Sequence, residues 1–154
     1  MPARAWLHIA ALLAPLGAAA GWSALASPAD PSLGLRQSAI FGGLGALAAQ
    51  IAALLRWRAL ERRAREGSGA WKTGIGMAVL THVLFGVLFV AAMAASMRFL
   101  EAGDPGNAKD LLVQAAFFIA ASLFAVGALS LPLTALLAWK IAVLRRREIA
   151  DDAR

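Results

Sequence analysis

Four long apolar stretches, separated by short polar segments, organise the chain. The first runs from Ala5 to Ala26 and stops at Ser27-Pro28-Ala29-Asp30-Pro31, a break rich in turn formers. The second runs from Gln37 to Leu55 and stops at Arg56, the third from Gly74 to Met97, and the fourth from Leu111 to Leu144, interrupted only by Pro132 and Lys140. About 20 apolar residues suffice for one helical crossing of a bilayer. The pattern therefore predicts an all-α integral membrane fold of four transmembrane helices. The fourth stretch is too long for one untilted crossing. A kink at Pro132 and an extension past Lys140 are expected there, with Ser130 and Thr134 placed to satisfy carbonyls freed by the proline. The segment after Leu55 reads as a helical extension of the second span: Glu61 and Arg65 form an i,i+4 pair of the favoured polarity, and Gly67-Ser68-Gly69 breaks the helix. It is expected to be a solvated basic stalk, with a docking surface for anionic lipid or a partner as the sharper alternative.

Charge placement orients the spans. Arg56, Arg58, Arg62, Arg63, Arg65 and Lys72 surround the middle loop, Arg145, Arg146 and Arg147 follow the fourth span, and Arg4 precedes the first. The other two loops hold Arg36 in one, and Arg98 with Lys109 in the other. The bias of basic residues predicts a bacterial-type inner-membrane protein with its N-terminus, middle loop and C-terminus in the cytoplasm. Trp6, Trp57, Trp71 and Trp139 fall near the same ends, as interfacial anchors do, and Trp22 falls near the other. A cleaved secretory signal ending at Ala24-Leu25-Ala26 is the rival reading of the first stretch. It would leave three spans in the same orientation.

Composition adds exclusions. Hydrophobic residues make up 60% of the chain and charged residues 16%, a balance foreign to a soluble domain of this size. The absence of cysteine removes disulfides, thiolate metal sites and cysteine nucleophiles. The net charge of +6 lies beside the apolar stretches, so it points to topology and lipid headgroups and not to nucleic acid.

The two halves of the chain align as a tandem duplication of a helical hairpin, within one membrane domain spanning residues 1–154. Hairpin 1 covers about residues 5–66 and hairpin 2 about 72–150. His8 falls on His82 and, without a gap, Asp30-Pro31 on Asp104-Pro105. Small shifts then place Gln37-x-Ala39-x-Phe41 on Gln114-x-Ala116-x-Phe118, and Ala53-Leu54-Leu55-x-Trp57-Arg58 on Ala135-Leu136-Leu137-x-Trp139-Lys140. Repeats of two spans each run parallel, so their pseudo-twofold axis would lie along the membrane normal. Small residues suggest close helix contact: Gly42, Gly45, Ala46 and Ala49 in the second stretch, Gly17 and Gly21 in the first, Gly86 and then Ala91, Ala92, Ala94 and Ala95 in the third.

All nine acidic residues lie outside the apolar stretches, which argues against a carboxylate proton relay in the membrane. Among intramembrane polar residues, His8 and His82 stand out. Paired across a bundle they would make axial ligands to a haem b iron, or part of a metal site, although two histidines fall short of the usual zinc set. The plain alternative is a headgroup position for His8 and a hydrogen bond to a neighbouring helix for His82. Gln50 and Gln114, with Ser130 and Thr134, are the other polar candidates, either lining a path or joining helices. The leading expectation is a non-enzymatic accessory or scaffold subunit in contact with the lipid bilayer and with other membrane proteins or its own copies. A haem-binding redox protein using His8 and His82, and a small transporter or channel component, are the alternatives.

Overall fold

A computed structural model describes residues 2–26, 31–100 and 103–153. It contains four α-helices: α1 (Ala3–Ala26), α2 (Pro31–Glu66), α3 (Ala70–Phe99) and α4 (Ala108–Asp152). Each is long and apolar enough to cross a membrane. A helix suits that solvent because it satisfies its backbone donors and acceptors within itself.

The connections are short and locally determined. The α2 helix ends where Gly67, at φ +82°, donates its N–H to the Arg63 carbonyl at 3.0 Å. Gly69 follows at φ +74° and α3 starts at the next residue. Left-handed backbone of this kind is costly for residues with a Cβ, so Gly67-Ser68-Gly69 can reverse the chain within three residues. Before α4, Asp104 accepts the Gly106 N–H at 3.0 Å in a turn. Asn107 then caps the helix by accepting the Lys109 and Asp110 N–H groups. Turn formation is thus the role of Asp104; its expected counterpart Asp30 lies outside the described residues.

The α4 helix has 45 residues and so extends about 68 Å at 1.5 Å per residue, well beyond a bilayer core of about 30 Å. It passes through Pro132 as one continuous helix. Ser130 does not serve a freed carbonyl but turns to His82 on α3, and the Thr134 side chain makes no hydrogen bond among the described residues.

The helices run antiparallel in chain order. The start of α1, the end of α2, the start of α3 and the end of α4 gather at one end of the bundle, the basic end. Glycine sets the closest approaches. A Cβ on Gly74 would fall 2.5 Å from the Thr134 carbonyl oxygen and 2.7 Å from the Ala135 Cα, and one on Gly86 would fall 2.5 Å from Ile119 Cγ1. These two glycines bring the α3 and α4 backbones together at two levels. Gly42 and Gly45 do the same more loosely for α2 against α1, where a Cβ would meet Leu16 and Pro15 at 3.1 Å. Gly17 and Gly21 make no such contact within the hairpin: none of the described residues lies within 4 Å of an added Cβ at either. Ala91, Ala92 and Ala95 are exposed as well.

The buried core is concentrated at the basic end, where Ala3, Leu7, Ala53, Leu60, Ala64, Met77 and Ile141 from all four helices meet. Leu60 is 1% exposed and Ala64 fully buried, so the helical extension after Leu55 is not simply a solvated stalk. Its arginines face outward, while one side is built into the bundle. Toward the opposite end the chain relies on phenylalanines. Phe89 of α3 stacks on Phe41 of α2 at 5.2 Å between centroids and meets Phe118 of α4 edge-on at 4.6 Å. Among the described residues α1 packs mainly on α2, and α4 mainly on α3.

Candidate functional site

Among the described residues, each hairpin has a polar link built on a histidine that crosses the apolar interior. In the first hairpin, His8 of α1 faces Gln50 of α2. The Gln50 side-chain N–H donates to the His8 carbonyl at 2.7 Å, and its Oε1 accepts from His8 Nδ1 at 2.7 Å. Because an amide oxygen only accepts, Nδ1 carries the proton here. The other ring nitrogen, Nε2, has no partner among the described residues.

In the second hairpin, His82 of α3 is 8% exposed and lies between two serines of α4. The Ser122 hydroxyl donates to the Ile119 carbonyl at 3.1 Å. Its oxygen therefore accepts from His82 Nδ1–H, also at 3.1 Å. Nε2 then accepts from the Ser130 hydroxyl at 2.8 Å. Both nitrogens of a neutral imidazole are satisfied, and no buried side-chain polar atom lacks a partner among the described residues. In an apolar medium such links fix helix register, at typically about 0.6 kcal/mol and up to about 1.7 kcal/mol each.

The sequence candidates thus divide. His8 joins Gln50, and His82 joins Ser130 together with Ser122, whose part the sequence reading did not assign. Its signal was available: Ser122 and Ser130 are eight positions apart and fall on one face of a helix. Gln114 and Thr134 enter neither link. The links also do not converge, because Gln50 and Ser130 each turn to the histidine of their own hairpin. Haem ligation by His82 would have to displace a serine from whichever nitrogen bound the iron, since the Nε2 lone pair is committed to Ser130 and Nδ1 carries its proton toward Ser122. The donor set does not fit a bis-histidine haem in this arrangement. Among the described residues no cluster of three or more His, Asp or Glu side chains forms a metal site.

A third polar feature lies at the basic end. Arg145 of α4 contacts Glu61 of α2 at 2.7 Å and Glu148 one turn along at 3.1 Å. Glu148 in turn accepts the Ala3 N–H at the start of α1. A carboxylate at a helix N-terminus meets an orphan donor and the positive end of the dipole. Arg146 adds a bond to the Ala64 carbonyl at 3.1 Å. The expected Glu61–Arg65 pair is present at 3.4 Å, but the shorter contact of Glu61 is to Arg145. Glu61 lies on the helical extension beyond the apolar stretch. The hydrogen bond from Arg145 holds its carboxyl below the usual carboxylate range against a smaller opposing effect of burial. Three helices are tied at this end by groups distant in sequence, which explains why local spacing found only the Arg65 contact.

Each link joins the two helices of its own hairpin. No family model, no curated protein and no solved structure matches this chain.

Proposed function

We propose that this protein is a non-enzymatic accessory or scaffold subunit of a bacterial-type inner membrane, acting through helix packing, with the basic end on the cytoplasmic side. The observation that carries this reading is the placement of Gly17 and Gly21. They lie one turn apart on one face of α1, and none of the described residues lies over either glycine. In lipid, small residues of this kind let a second helix approach closely, whereas large side chains cover a face that meets acyl chains. The polar groups add support by being engaged in tying helices together, which leaves little for catalysis or for a conducting path.

The tandem duplication is part of the same proposal. In each hairpin a histidine on the first helix bonds a polar side chain of the second. Equivalent basic-end segments also run side by side, since Arg146 reaches Ala64 across the same offset that aligns Trp139 with Trp57. Phe41 and Phe118, matched in the alignment, both pack on Phe89.

Blue-native electrophoresis after mild detergent extraction tests the reading. A species larger than one chain, reduced to a single chain by Gly17→Leu, is the expected result. A strictly monomeric species with no co-purifying membrane protein would overturn it.

A further inference from the structure

A groove of about 360 Å³ runs between α1 and α4 at the basic end. Its walls include Ile9, Ala10 and Leu13 from α1 and Leu137 and Ile141 from α4, and the sole charged residue lining it is Lys140. The groove exists because α1 packs along α2 and meets α4 mainly where Leu7 and Ala3 join the core. We propose that this groove holds one acyl chain of an anionic glycerophospholipid, with Lys140 bound to its phosphate.

Charge and depth argue for this occupant over a helix or a neutral lipid. Lys140 makes no ion pair among the described residues, although four ion pairs form elsewhere at the same end. The next carboxylate along α4, Glu148, is already engaged by Arg145 and the Ala3 N–H. The apolar stem of Lys140 lines the groove and the residue is exposed, so its ammonium at the groove's edge lacks a counter-ion that an acidic headgroup would supply. Trp6 lines the end of the groove nearest the basic residues, is 48% exposed, and has the amphipathic ring suited to the headgroup level. From Trp6 to Leu13 the helix rises about 10 Å, so the groove runs from that level into the hydrocarbon.

The proposal rests on the membrane placement of the basic end, and it is independent of self-association. Native mass spectrometry of the delipidated, detergent-solubilised protein tests it, with phosphatidylglycerol and phosphatidylcholine of identical acyl chains added in turn. The expected result is preferential retention of one phosphatidylglycerol per chain. Lys140→Gln should weaken retention about fivefold, the effect of one basic residue near an anionic surface, and Lys140→Arg should restore it. Ala10→Trp, which fills the groove, should also weaken it, while Arg62→Gln, outside the groove, should not. Equal retention of the two lipids would overturn the proposal, as would unchanged retention in Lys140→Gln or an equal loss in Arg62→Gln. The same spectra report the number of chains per particle. A lipid-bound single chain with no co-purifying membrane protein would contradict the subunit reading and leave the groove assignment standing.

Discussion

The two hairpins share a design and differ in how completely they are closed. In α3/α4, Gly74 and Gly86 bring the backbones into contact at two levels, and His82 has both nitrogens occupied by Ser122 and Ser130. In α1/α2, the glycine contacts are looser, His8 uses one nitrogen, and the outer face of α1 carries Gly17 and Gly21 with none of the described residues over them. Small residues turned inward form a finished helix pair, and the same residue types turned outward leave a face free for another helix. Glycine content alone does not separate these cases; the side to which it points does.

The largest expected effect breaks the closed hairpin. Gly74→Leu must push the Thr134–Ala138 segment away, because a single Cβ already falls 2.5 Å from a backbone oxygen. A loss of about 3 kcal/mol or more is expected, at the upper end of overpacking penalties. Thermal unfolding in detergent, followed by circular dichroism, should show a large drop in Tm for Gly74→Leu and little change for Gly17→Leu. Comparable drops for both would remove the distinction between the hairpins.

A smaller effect separates the histidines. His82→Ala removes both bonds from α3 to α4 and leaves the Ser130 hydroxyl without its acceptor, whereas His8→Ala leaves Gln50 able to donate to the main-chain carbonyl. Losses of about 1–2 kcal/mol and about 0.5–1 kcal/mol are expected, in that order. Unfolding curves of the two variants in one detergent would reveal a reversed order.

The smallest effect concerns the clasp between the hairpins. The carboxyl of Glu61 titrates below its usual range because Arg145 hydrogen-bonds its ionised form. Its contribution is therefore present above the unfolded-state carboxylate pKa and is lost as pH falls through the lower folded-state value. Stability measured from neutral pH down into the acid range should decline more in the parent than in Glu61→Gln, which has already lost the charge. Parallel declines would show that the clasp contributes nothing measurable.

Much of this architecture was legible in the chain. Four apolar stretches with basic residues at alternate ends fixed the number of helices, because the required length for a crossing is set by the bilayer. Gly67-Ser68-Gly69 marked the α2 end for a local conformational reason. The side chains that meet across helices were less legible. His8, His82, Gln50 and Ser130 stood out as polar residues in apolar surroundings, but nothing in their spacing told which would pair. Periodicity places a residue on a face and does not say which neighbour that face meets. The same limit explains Gly17 and Gly21, whose spacing suits close packing on either side of α1, and Arg145, whose partner Glu61 lies on another helix.

We propose that the outer face of α1 is where this protein meets another helix. The chain has no cysteine, so single substitutions report cleanly in native membranes. Gly17→Cys and Gly21→Cys, treated with a mild oxidant, should form a disulfide-linked dimer, or couple to a partner through a short bifunctional reagent, while Phe124→Cys on the exposed face of α4 should not. Failure of both α1 positions to cross-link, or equal cross-linking from Phe124→Cys, would contradict the account.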